Sequence, residues 1–482
     1  MQSMKELKQL FEKRFHSQVS RIDPLTGQLG ASGRTIVRLT NDKTSVIGVL
    51  YDVREENAAF LEFSRHFRNH GLPVPEIYIA DLDKNVYLEE DLGEKTLYEF
   101  LMENRTAEQI SDEVIEAYRK IVAFLPRFQV EAGRDLDYSV CYPCGNFDEQ
   151  SISWDLNYFK YYFLKLAGVP FNEQKLENDF RKLTDFLLST NTDYFMYRDF
   201  QSRNVMMRGT DPFFVDYQGG RRGALQYDIA SLLYDSKADL PPSVRQALLD
   251  NYLDVLSKCI KIDRTAFMHH YYAYVYIRIL QALGTYGYRG FFERKTFFLQ
   301  SVPYALKNLK WLSQNVELPI KLPALTQAFN NMLDSERLKS FGAVGDNFPT
   351  MLTVQIFSFS FHQAAPTDET GHGGGFVFDA RSLPNPGREE TYKNLNGKDE
   401  LVIDYLMDQE SVQQYLVGVT LLLDASISNY QRRGFRNLMV SFGCTSGQHR
   451  SVFLAEQLAK HLHGRKGVGF TVTHLGLEGS GK

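Results

Sequence analysis

Two aspartates and an asparagine in this chain have the spacing of a phosphoryl-transfer site. Asp199 and Asn204 lie five residues apart, and Asp216 follows at the end of the apolar run 213–215. In kinase-type chemistry the first aspartate accepts the proton of an attacking hydroxyl. The asparagine and the second aspartate hold Mg²⁺ on the nucleotide phosphates, because this ion prefers hard oxygen ligands. The spacing predicts Asp199 as general base, Asn204 and Asp216 as Mg²⁺ ligands, and ATP as phosphoryl donor.

Charged neighbours extend this prediction. Arg203 is adjacent to Asn204 and can neutralise charge on the transferring phosphoryl group, although a solvated or capping arginine explains it equally well. Asp228 is the second residue of the pattern Tyr-Asp-Ile-Ala-Ser-Leu-Leu and is expected to be structural, accepting backbone N–H groups of the catalytic loop.

The chain departs from the usual kinase pattern at two places. Tyr197 stands where many kinases carry a histidine, so packing is expected to replace the usual hydrogen bond. The predicted third strand, 45–52, has no lysine to hold the α- and β-phosphates. Arg34 or Arg38, beside a Gly-x-x-Gly turn, can supply that charge, although the turn is equally consistent with an ordinary hairpin. The predicted nucleotide-binding residues are Gly30, Ser32, Gly33, Arg34, Arg38 and, in the strand expected to lead to the adenine, Glu90.

The elements that must position these residues fall into a sheet-rich segment and a helical segment. Strands are expected on both sides of the turn at 30–33 and at 45–51, and a helix at 56–70. Residues 94–325 are mostly helical in pattern. The Gly-Asp-Asn-Phe-Pro stretch at 345–349 is a plausible linker. After it, strands are expected at 352–362, in a segment that ends at Asp379, and at 437–442, and two helical segments lie between 398 and 433.

Composition places the chain among ordinary globular proteins. Its 482 residues are 43% hydrophobic and 23% charged, with a net charge of −5. Four cysteines form no disulfide framework, and the Cys141/Cys144 pair lacks a second pair for zinc. The amino-terminal helix has no apolar signal core, and no apolar run of about 18 residues could span a membrane. The expected location is cytoplasmic.

The first part of the chain resembles the aminoglycoside-phosphotransferase-like kinases, over about residues 20–315. The motifs are Glu-Asp-Leu-Gly at 90–93, Tyr-Arg-Asp at 197–199, Asp-Tyr-Gln at 216–218 and the Arg-x2-Gln-Ala-Leu-Gly helix at 278–284. It looks closest to the anomeric kinases of N-acetylmuramate and N-acetylglucosamine. The resemblance implies ATP-dependent phosphorylation of a sugar C1 hydroxyl, a role in cell-wall recycling, and sugar contacts from Asp155, Asn157, Arg278 and Gln281.

Residues 352–475 resemble the C-terminal domain of the RapZ RNase-adapter family, through the motifs at 376–386 and 443–451. The resemblance implies binding of a phosphorylated amino sugar or a nucleotide-sugar, and contact with RNA in some members. A strand, a Gly-containing loop and a helix start also aim backbone N–H groups at an anion. The predicted anion site consists of Asp379, Arg381, Cys444, Thr445, Ser446, Gly447, His449, Arg450 and Ser451.

Two other interpretations of this second part stay open. Cys444 and Arg450 fit the phosphatase signature C-x5-R, in which a thiolate attacks phosphate. RNA binding would require a basic face, but residues 345–482 carry twelve basic and fourteen acidic side chains.

The sequence thus predicts an α+β, protein-kinase-like two-lobed domain followed by a separate α/β domain. The predicted boundaries are 1–335 for the kinase-like domain (small lobe 1–91, helical lobe 92–335), 336–350 for a linker and 351–482 for the RapZ C-terminal-like domain. The predicted function is an amino-sugar 1-kinase with a phosphosugar-sensing domain. The alternatives are a kinase for another hydroxyl acceptor with a phosphatase-like second domain, or a non-catalytic regulator that binds ligand and RNA.

Overall fold

The chain folds as two compact units, Met1–Ala343 and Val344–Lys482. The structure is a computed structural model, which describes residues 2–25, 34–106, 110–293, 295–341, 352–368, 375–432, 435–463, 465 and 467–478. Within these ranges, no helix is both long enough and apolar enough to cross a membrane.

The first unit begins with a small lobe built on an antiparallel sheet. Its elements are α1 (Gln2–Phe15), β1 (Arg21–Pro24), β2 (Thr35–Thr40), β3 (Ser45–Leu50), α2 (Arg54–Asn69), β4 (Ile77–Asp81) and β5 (Val86–Glu90). Among the described residues the strand order is β1-β2-β3-β5-β4. The interior of β3 is buried on both faces, because Leu7 and Phe11 of α1 cover one side and Phe60 and Phe63 of α2 cover the other.

A helical lobe follows. Its elements are α3 (Leu97–Glu103), α4 (Asp112–Pro126), α5 (Glu149–Tyr158), α6 (Glu173–Leu188), β6 (Tyr194–Met196), β7 (Val205–Arg208), β8 (Asp211–Phe214), β9 (Arg221–Gly223), α7 (Gln226–Leu233), α8 (Pro242–Cys259), α9 (Arg264–Gly287), α10 (Val302–Asn315), α11 (Pro323–Asp334) and α12 (Glu336–Ser340). The pairs β6–β9 and β7–β8 present the catalytic motif. Helix α12 occupies the predicted start of the linker, and its Leu338 is buried in the core of this unit.

The second unit has an α/β fold. Its elements are β10 (Leu352–Ser360), β11 (Gly375–Asp379), α13 (Glu400–Met407), α14 (Glu410–Arg432), β12 (Asn437–Cys444), α15 (Arg450–Leu462), β13 (Val468–His474) and α16 (Leu475–Glu478). The strands of its described part are all parallel, in the order β11-β12-β10-β13. Strand β13 was not predicted from the sequence. Because the strands are parallel, their carboxyl ends meet at one edge, where loops of α/β proteins bind ligands.

Candidate functional site

A buried carboxylate holds the segment that carries Asp199. Asp228, fully buried on α7, accepts the backbone N–H groups of Tyr197 at 2.8 Å and Arg198 at 3.0 Å. Gln129 donates its Nε2–H to the same side chain at 3.2 Å. Burial raises the pKa of Asp228 to about 7, although these N–H donors act in the opposite direction. The predicted structural role of Asp228 is confirmed.

Arg198 adopts a positive φ of 79°, and a second carboxylate supports that turn. Asp155 accepts hydrogen bonds from both terminal guanidinium nitrogens of Arg198, at 2.8 and 2.6 Å. Arg198 also donates a hydrogen bond to the Tyr227 hydroxyl oxygen at 2.6 Å. Asp155 is buried on α5. Both oxygens of Asp155 are engaged by Arg198, so Asp155 supports the loop that carries Asp199, and its contact with the sugar stays a prediction.

Tyr197 joins the two halves of the motif. Its hydroxyl donates to the Val215 carbonyl oxygen at 2.5 Å, directly before Asp216. Its ring packs edge-on against Phe128, Phe200 and Tyr217. The expectation that packing alone replaces the histidine is corrected, because the tyrosine hydroxyl makes a hydrogen bond of its own across the motif.

Asn204 and Asp216 come together as the sequence predicted. Asn204 Nδ2 lies 3.0 Å from Asp216 Oδ2 and 2.9 Å from the Asp199 carbonyl oxygen. Asp216 has a positive φ of 68°, a strained conformation of the kind found at functional sites. Desolvation raises the pKa of Asp216 to about 6, and the neighbouring Asp199 charge adds to the rise. This donor set fits Mg²⁺. If the Asn204 amide rotates by a half-turn, its oxygen lies beside the Asp216 carboxylate, and a cation between the two would stabilise the negative charge of that carboxylate.

Arg34 stands beside these oxygens. Its Nη1 lies 3.5 Å from Asp216 Oδ1, and its Nη2 forms an ion pair with Glu56 of α2. The guanidinium also stacks over Tyr51 at 5.0 Å from the ring centroid. In kinases a strand lysine pairs with a glutamate of the corresponding helix and with the phosphates. Arg34 directly precedes β2, the strand next to β3, and its pair with Glu56 is of the same type as this lysine–glutamate pair.

The other predicted nucleotide contacts are arranged differently. Arg38 is bound by Asp91 at 2.7 and 3.1 Å and by Glu94 at 2.5 Å, on the turn after β5. Glu90 accepts from Arg208 at 2.7 Å. Arg38 is therefore not placed beside Asn204 and Asp216, and the Glu90 carboxylate is engaged by an arginine. Gly30, Ser32 and Gly33 lie outside the described residues.

An apolar cleft between the sheet and the catalytic motif adjoins Arg34 and Asp216. Its apolar walls come from Leu25, Ile36, Ile47, Val49, Phe60, Leu92, Met206 and Val215. Glu89 lies in the same wall, and desolvation raises its pKa to about 8, so that it is mostly neutral at pH 7. The sequence analysis missed Glu89, because nothing in a strand pattern marks one acid as buried.

The acceptor side of Asp199 carries Arg278. Its Nη2 lies 3.6 Å from Asp199 Oδ1, its Nε donates to Ser231 Oγ at 2.7 Å, and its Nη1 contacts Gln281 Oε1. Arg278 thus connects Gln281 with Asp199, and the contacts of Arg278 and Gln281 with the sugar stay a prediction.

Two further predicted residues make other contacts. Asn157 donates to Ser153 Oγ at 3.2 Å on its own helix. Arg203 stacks its guanidinium on Tyr98, 4.5 Å from the ring centroid. Neither contact joins these residues to Asp199 or Asp216.

In the second unit, the loop after β12 lies at the carboxyl edge of the parallel sheet. Thr445 and Ser446 are exposed there, and α15 begins at Arg450 with its N–H groups facing the loop. Gly447 has a φ of +74°, and a Cβ at this position would lie 2.9 Å from the Ser360 nitrogen. The tight turn therefore requires glycine.

Cys444 lies beneath this loop. Its sulfur accepts the Gly447 N–H at 3.2 Å and lies 3.1 Å from Ser451 Oγ, and the residue is 1% exposed. A phosphatase thiolate must face its substrate. Here Cys444 and Ser451 support the loop from within, which disfavours the C-x5-R phosphatase interpretation.

His449 and Arg450 also turn inward, which corrects their expected role as open anion donors. His449 Nε2 lies 2.9 Å from the Tyr392 carbonyl oxygen. Arg450 donates to the carbonyl oxygens of Arg381 and Leu383, both at 2.9 Å, and lies 3.3 Å from Thr445 Oγ1. Burial lowers the pKa of Arg450. The Nε of Arg450 has no hydrogen-bond partner among the described residues. Because Arg450 is the first residue of α15, its positive charge at the helix N-terminus is unfavourable unless an anion lies nearby.

Exposed arginines surround the same loop. Arg381 pairs with Asp379 at 2.7 Å and stacks over Phe361 at 4.2 Å from the ring centroid. Arg381 and Arg388 both lie close enough to Arg450 to disfavour its charge. The sequence analysis missed Arg388. A doubly negative group would offset this concentration of positive charge.

Comparison with known proteins identifies both parts of the chain. Residues 28–265 match the phosphotransferase enzyme family, and residues 352–478 match the RapZ C-terminal domain. The chain therefore carries a kinase-like phosphotransferase domain followed by a RapZ C-terminal domain, as the motifs indicated.

Curated proteins that resemble this chain match only part of it. A nucleotide-binding protein of Xylella fastidiosa (strain M23) is 42% identical over 110 residues, 23% of this chain and 36% of that protein. One from Bacillus licheniformis is 40% identical over 126 residues, 26% of this chain and 40% of that protein. One from Bifidobacterium adolescentis is 34% identical over 168 residues, 35% of this chain and 49% of that protein. The chain thus spans less than half the length of each of these relatives.

Solved structures align with the chain at low identity. Choline kinase LicA from Streptococcus pneumoniae is 14% identical and covers 65% of this chain and 100% of its own, with a TM-score of 0.43. Amicoumacin kinase hAmiN, in complex with AMP-PNP, Ca²⁺ and Ami, is 12% identical and covers 67% of this chain and 96% of its own, with a TM-score of 0.44.

We expect Tyr197→Phe to destabilise the first unit by about 1–3 kcal/mol, because it leaves the Val215 carbonyl oxygen without its donor. Tyr118→Phe is the matched control: Tyr118 is fully buried, and its hydroxyl has no partner among the described residues. Urea unfolding of both variants measures the difference. Equal losses of stability would contradict a specific role for the Tyr197 hydroxyl.

Proposed function

We propose that this protein is an ATP-dependent small-molecule kinase that phosphorylates a sugar hydroxyl. The observation that carries the proposal is the convergence of Asp199, Asn204, Asp216 and Arg34 at the edge of an apolar cleft. The preferred acceptor is the C1 hydroxyl of N-acetylmuramate or N-acetylglucosamine. This finer assignment is supported by the motif resemblance and by the position of Arg278, which lies beside Asp199 and contacts Gln281.

The residues divide the chemistry among them. Asp199 accepts the acceptor hydroxyl proton on a carboxylate oxygen, and Arg278, 3.6 Å away, orients that carboxylate. Asn204 and Asp216 would hold Mg²⁺, which neutralises charge on the nucleotide phosphates when bound. Arg34 contributes a guanidinium to those phosphates while Glu56 holds its position.

The Arg34–Glu56 pair also bears on the non-catalytic alternative. That alternative depended on the absence of a strand lysine. Since Arg34 supplies a cation beside Asp216, the absence of a lysine in β3 does not argue against turnover.

For the second domain we propose binding of an amino-sugar phosphate or a nucleotide-sugar at the loop after β12. Arg381, Arg388 and Arg450 concentrate positive charge there, beside the exposed hydroxyls of Thr445 and Ser446. The partial relatives carry the name nucleotide-binding protein, which agrees with an anionic ligand of this class. RNA is the less favoured ligand, because the domain carries slightly more acidic than basic residues.

Asp199→Asn should abolish sugar phosphorylation and leave nucleotide binding nearly unchanged, since general-base assistance is worth on the order of 10²–10⁴-fold. The assay supplies ATP·Mg²⁺ with a sugar panel that includes N-acetylmuramate and N-acetylglucosamine, and NMR assigns the phosphorylated carbon. Asp193→Asn, an exposed acid just before β6, is the control. Turnover by Asp199→Asn at the parental rate would refute the assignment of the base.

Arg34→Ala should raise the KM for ATP tenfold or more, about 1.4 kcal/mol. Arg38→Ala should have a smaller effect, because Arg38 is bound by Asp91 and Glu94 away from Asp216. Steady-state kinetics at saturating sugar separates the two variants. A larger effect at Arg38 would mean that the phosphates bind along the other part of β2.

Calorimetry on the Asp199→Asn chain should detect N-acetylglucosamine 1-phosphate or UDP-N-acetylglucosamine at the second domain. Arg388→Ala should weaken binding about tenfold or more, because charge-assisted contacts to phosphate are strong. Arg436→Ala is the control, since this exposed arginine precedes β12 at the opposite edge of the sheet. Cys444→Ser should keep the affinity. Phosphate-ester hydrolysis that depends on Cys444 would instead establish a phosphatase.

A further inference from the structure

Two histidines lie one turn apart at the carboxyl-terminal end of α2, away from the catalytic motif. His66 and His70 have i, i+4 spacing, and their ring centroids are 4.4 Å apart. Asp135, which follows the short helical turn Ala132–Arg134, faces both rings. Its Oδ1 lies 3.6 Å from His66 Nε2 and 3.2 Å from His70 Nε2.

These distances match the requirements of a tetrahedral metal ion. Ligands bound to zinc at about 2.0–2.1 Å stand about 3.3 Å from one another. The candidate ligand atoms of His66, His70 and Asp135 all lie within 4.8 Å of one another, and no other such group of His, Cys, Asp and Glu occurs in the described part of the chain. Cys141 and Cys144 are therefore not part of such a cluster.

Hydrogen bonding orients His70 for this role. Its Nδ1 lies 2.9 Å from the His66 carbonyl oxygen, so Nδ1–H donates to the backbone and the lone pair of Nε2 faces Asp135. Opposite the Asp135 carboxylate, Nε2 either carries a proton, as in an imidazolium–carboxylate pair, or binds a cation. Backbone support of the distal ring nitrogen is also the usual second interaction of a metal-bound histidine.

The surroundings also favour a cation. The last turn of α2 presents carbonyl oxygens and the negative end of the helix dipole. His66 Nε2–H donates to the Ala132 carbonyl oxygen at 2.7 Å, so a metal ion bound at Nε2 requires this proton to move to Nδ1. We propose that His66, His70 and Asp135 bind a zinc-type divalent cation, with the fourth position open to water.

The site would connect two parts of the kinase domain. His66 and His70 lie on the helix whose first turns carry Glu56, the partner of Arg34. Asp135 belongs to the helical lobe, next to Gly133, whose added Cβ would lie 2.8 Å from the Cβ of Phe195 in β6. A bound ion would therefore hold the far end of α2 against the segment beside β6. Metal binding itself does not depend on the proposed sugar-kinase activity.

Cobalt(II) titration of the tag-free, metal-depleted full-length chain tests the site. We expect one equivalent to bind with the visible absorption of a tetrahedral site, and zinc to displace it. Asp135→Ala and His70→Ala should each lower the affinity at least tenfold, as loss of a ligand does. Asp135 is 64% exposed in its side chain, so its replacement should not disturb folding.

Two control variants address other sources of binding. His269→Ala removes an exposed histidine of α9 and should leave the titration unchanged. The double variant Cys141→Ser/Cys144→Ser should also retain the metal. Zinc should raise the melting temperature of the parent but not of Asp135→Ala. The proposal is overturned if the parent binds no metal at micromolar concentration, if Asp135→Ala and His70→Ala bind as the parent does, or if the cysteine variant loses the ion.

Discussion

The catalytic half of this molecule depends on one buried carboxylate. Asp228 accepts the N–H groups of two consecutive residues, Tyr197 and Arg198, and thereby stabilises a turn in which Arg198 has a positive φ. A buried carboxylate is costly unless such donors satisfy it. The turn and the carboxylate therefore stabilise each other. Asp155 supports the same turn through the Arg198 side chain, and the direction in which Asp199 leaves it follows from both contacts.

Local motifs in the sequence predicted this half well. The spacing of Asp199, Asn204 and Asp216 requires a loop followed by a hairpin, and that local geometry leaves few arrangements. The resemblance of these motifs to a kinase family implied the kinase-like fold, whereas strand and helix periodicity, which is local, predicted the separate α/β unit. The pairing of Asp155 with Arg198 was not predicted, because an acid on a helix can face a ligand or a neighbouring arginine, and only the tertiary structure shows the arginine.

The second unit illustrates the same limit. The loop motif at 443–451 correctly predicted a strand, a tight turn and a helix. It did not indicate that His449 and Arg450 would turn toward the backbone carbonyls of Tyr392 and Leu383, which lie 57 and 67 residues earlier in the chain. Arg388 was not predicted as a site residue, because it belongs to neither of the two motifs and has no fixed spacing from the loop at 443–451. Residue type and spacing predict where a site lies, whereas packing decides which of its side chains stay open.

The strand order of the second unit also has a consequence for how the chain folds during synthesis. Strand β10 pairs with β12 and β13, so that Thr353 lies beside Asn437 and Gly469. No pair of strands in the described sheet forms a local hairpin, and contacts between such distant residues are slow to form because loop closure precedes them. The ribosome must release residues past 437 before the centre of this sheet can assemble, whereas the first unit can fold as soon as it emerges. Until then β10, with its apolar face, has no strand of the sheet to pair with.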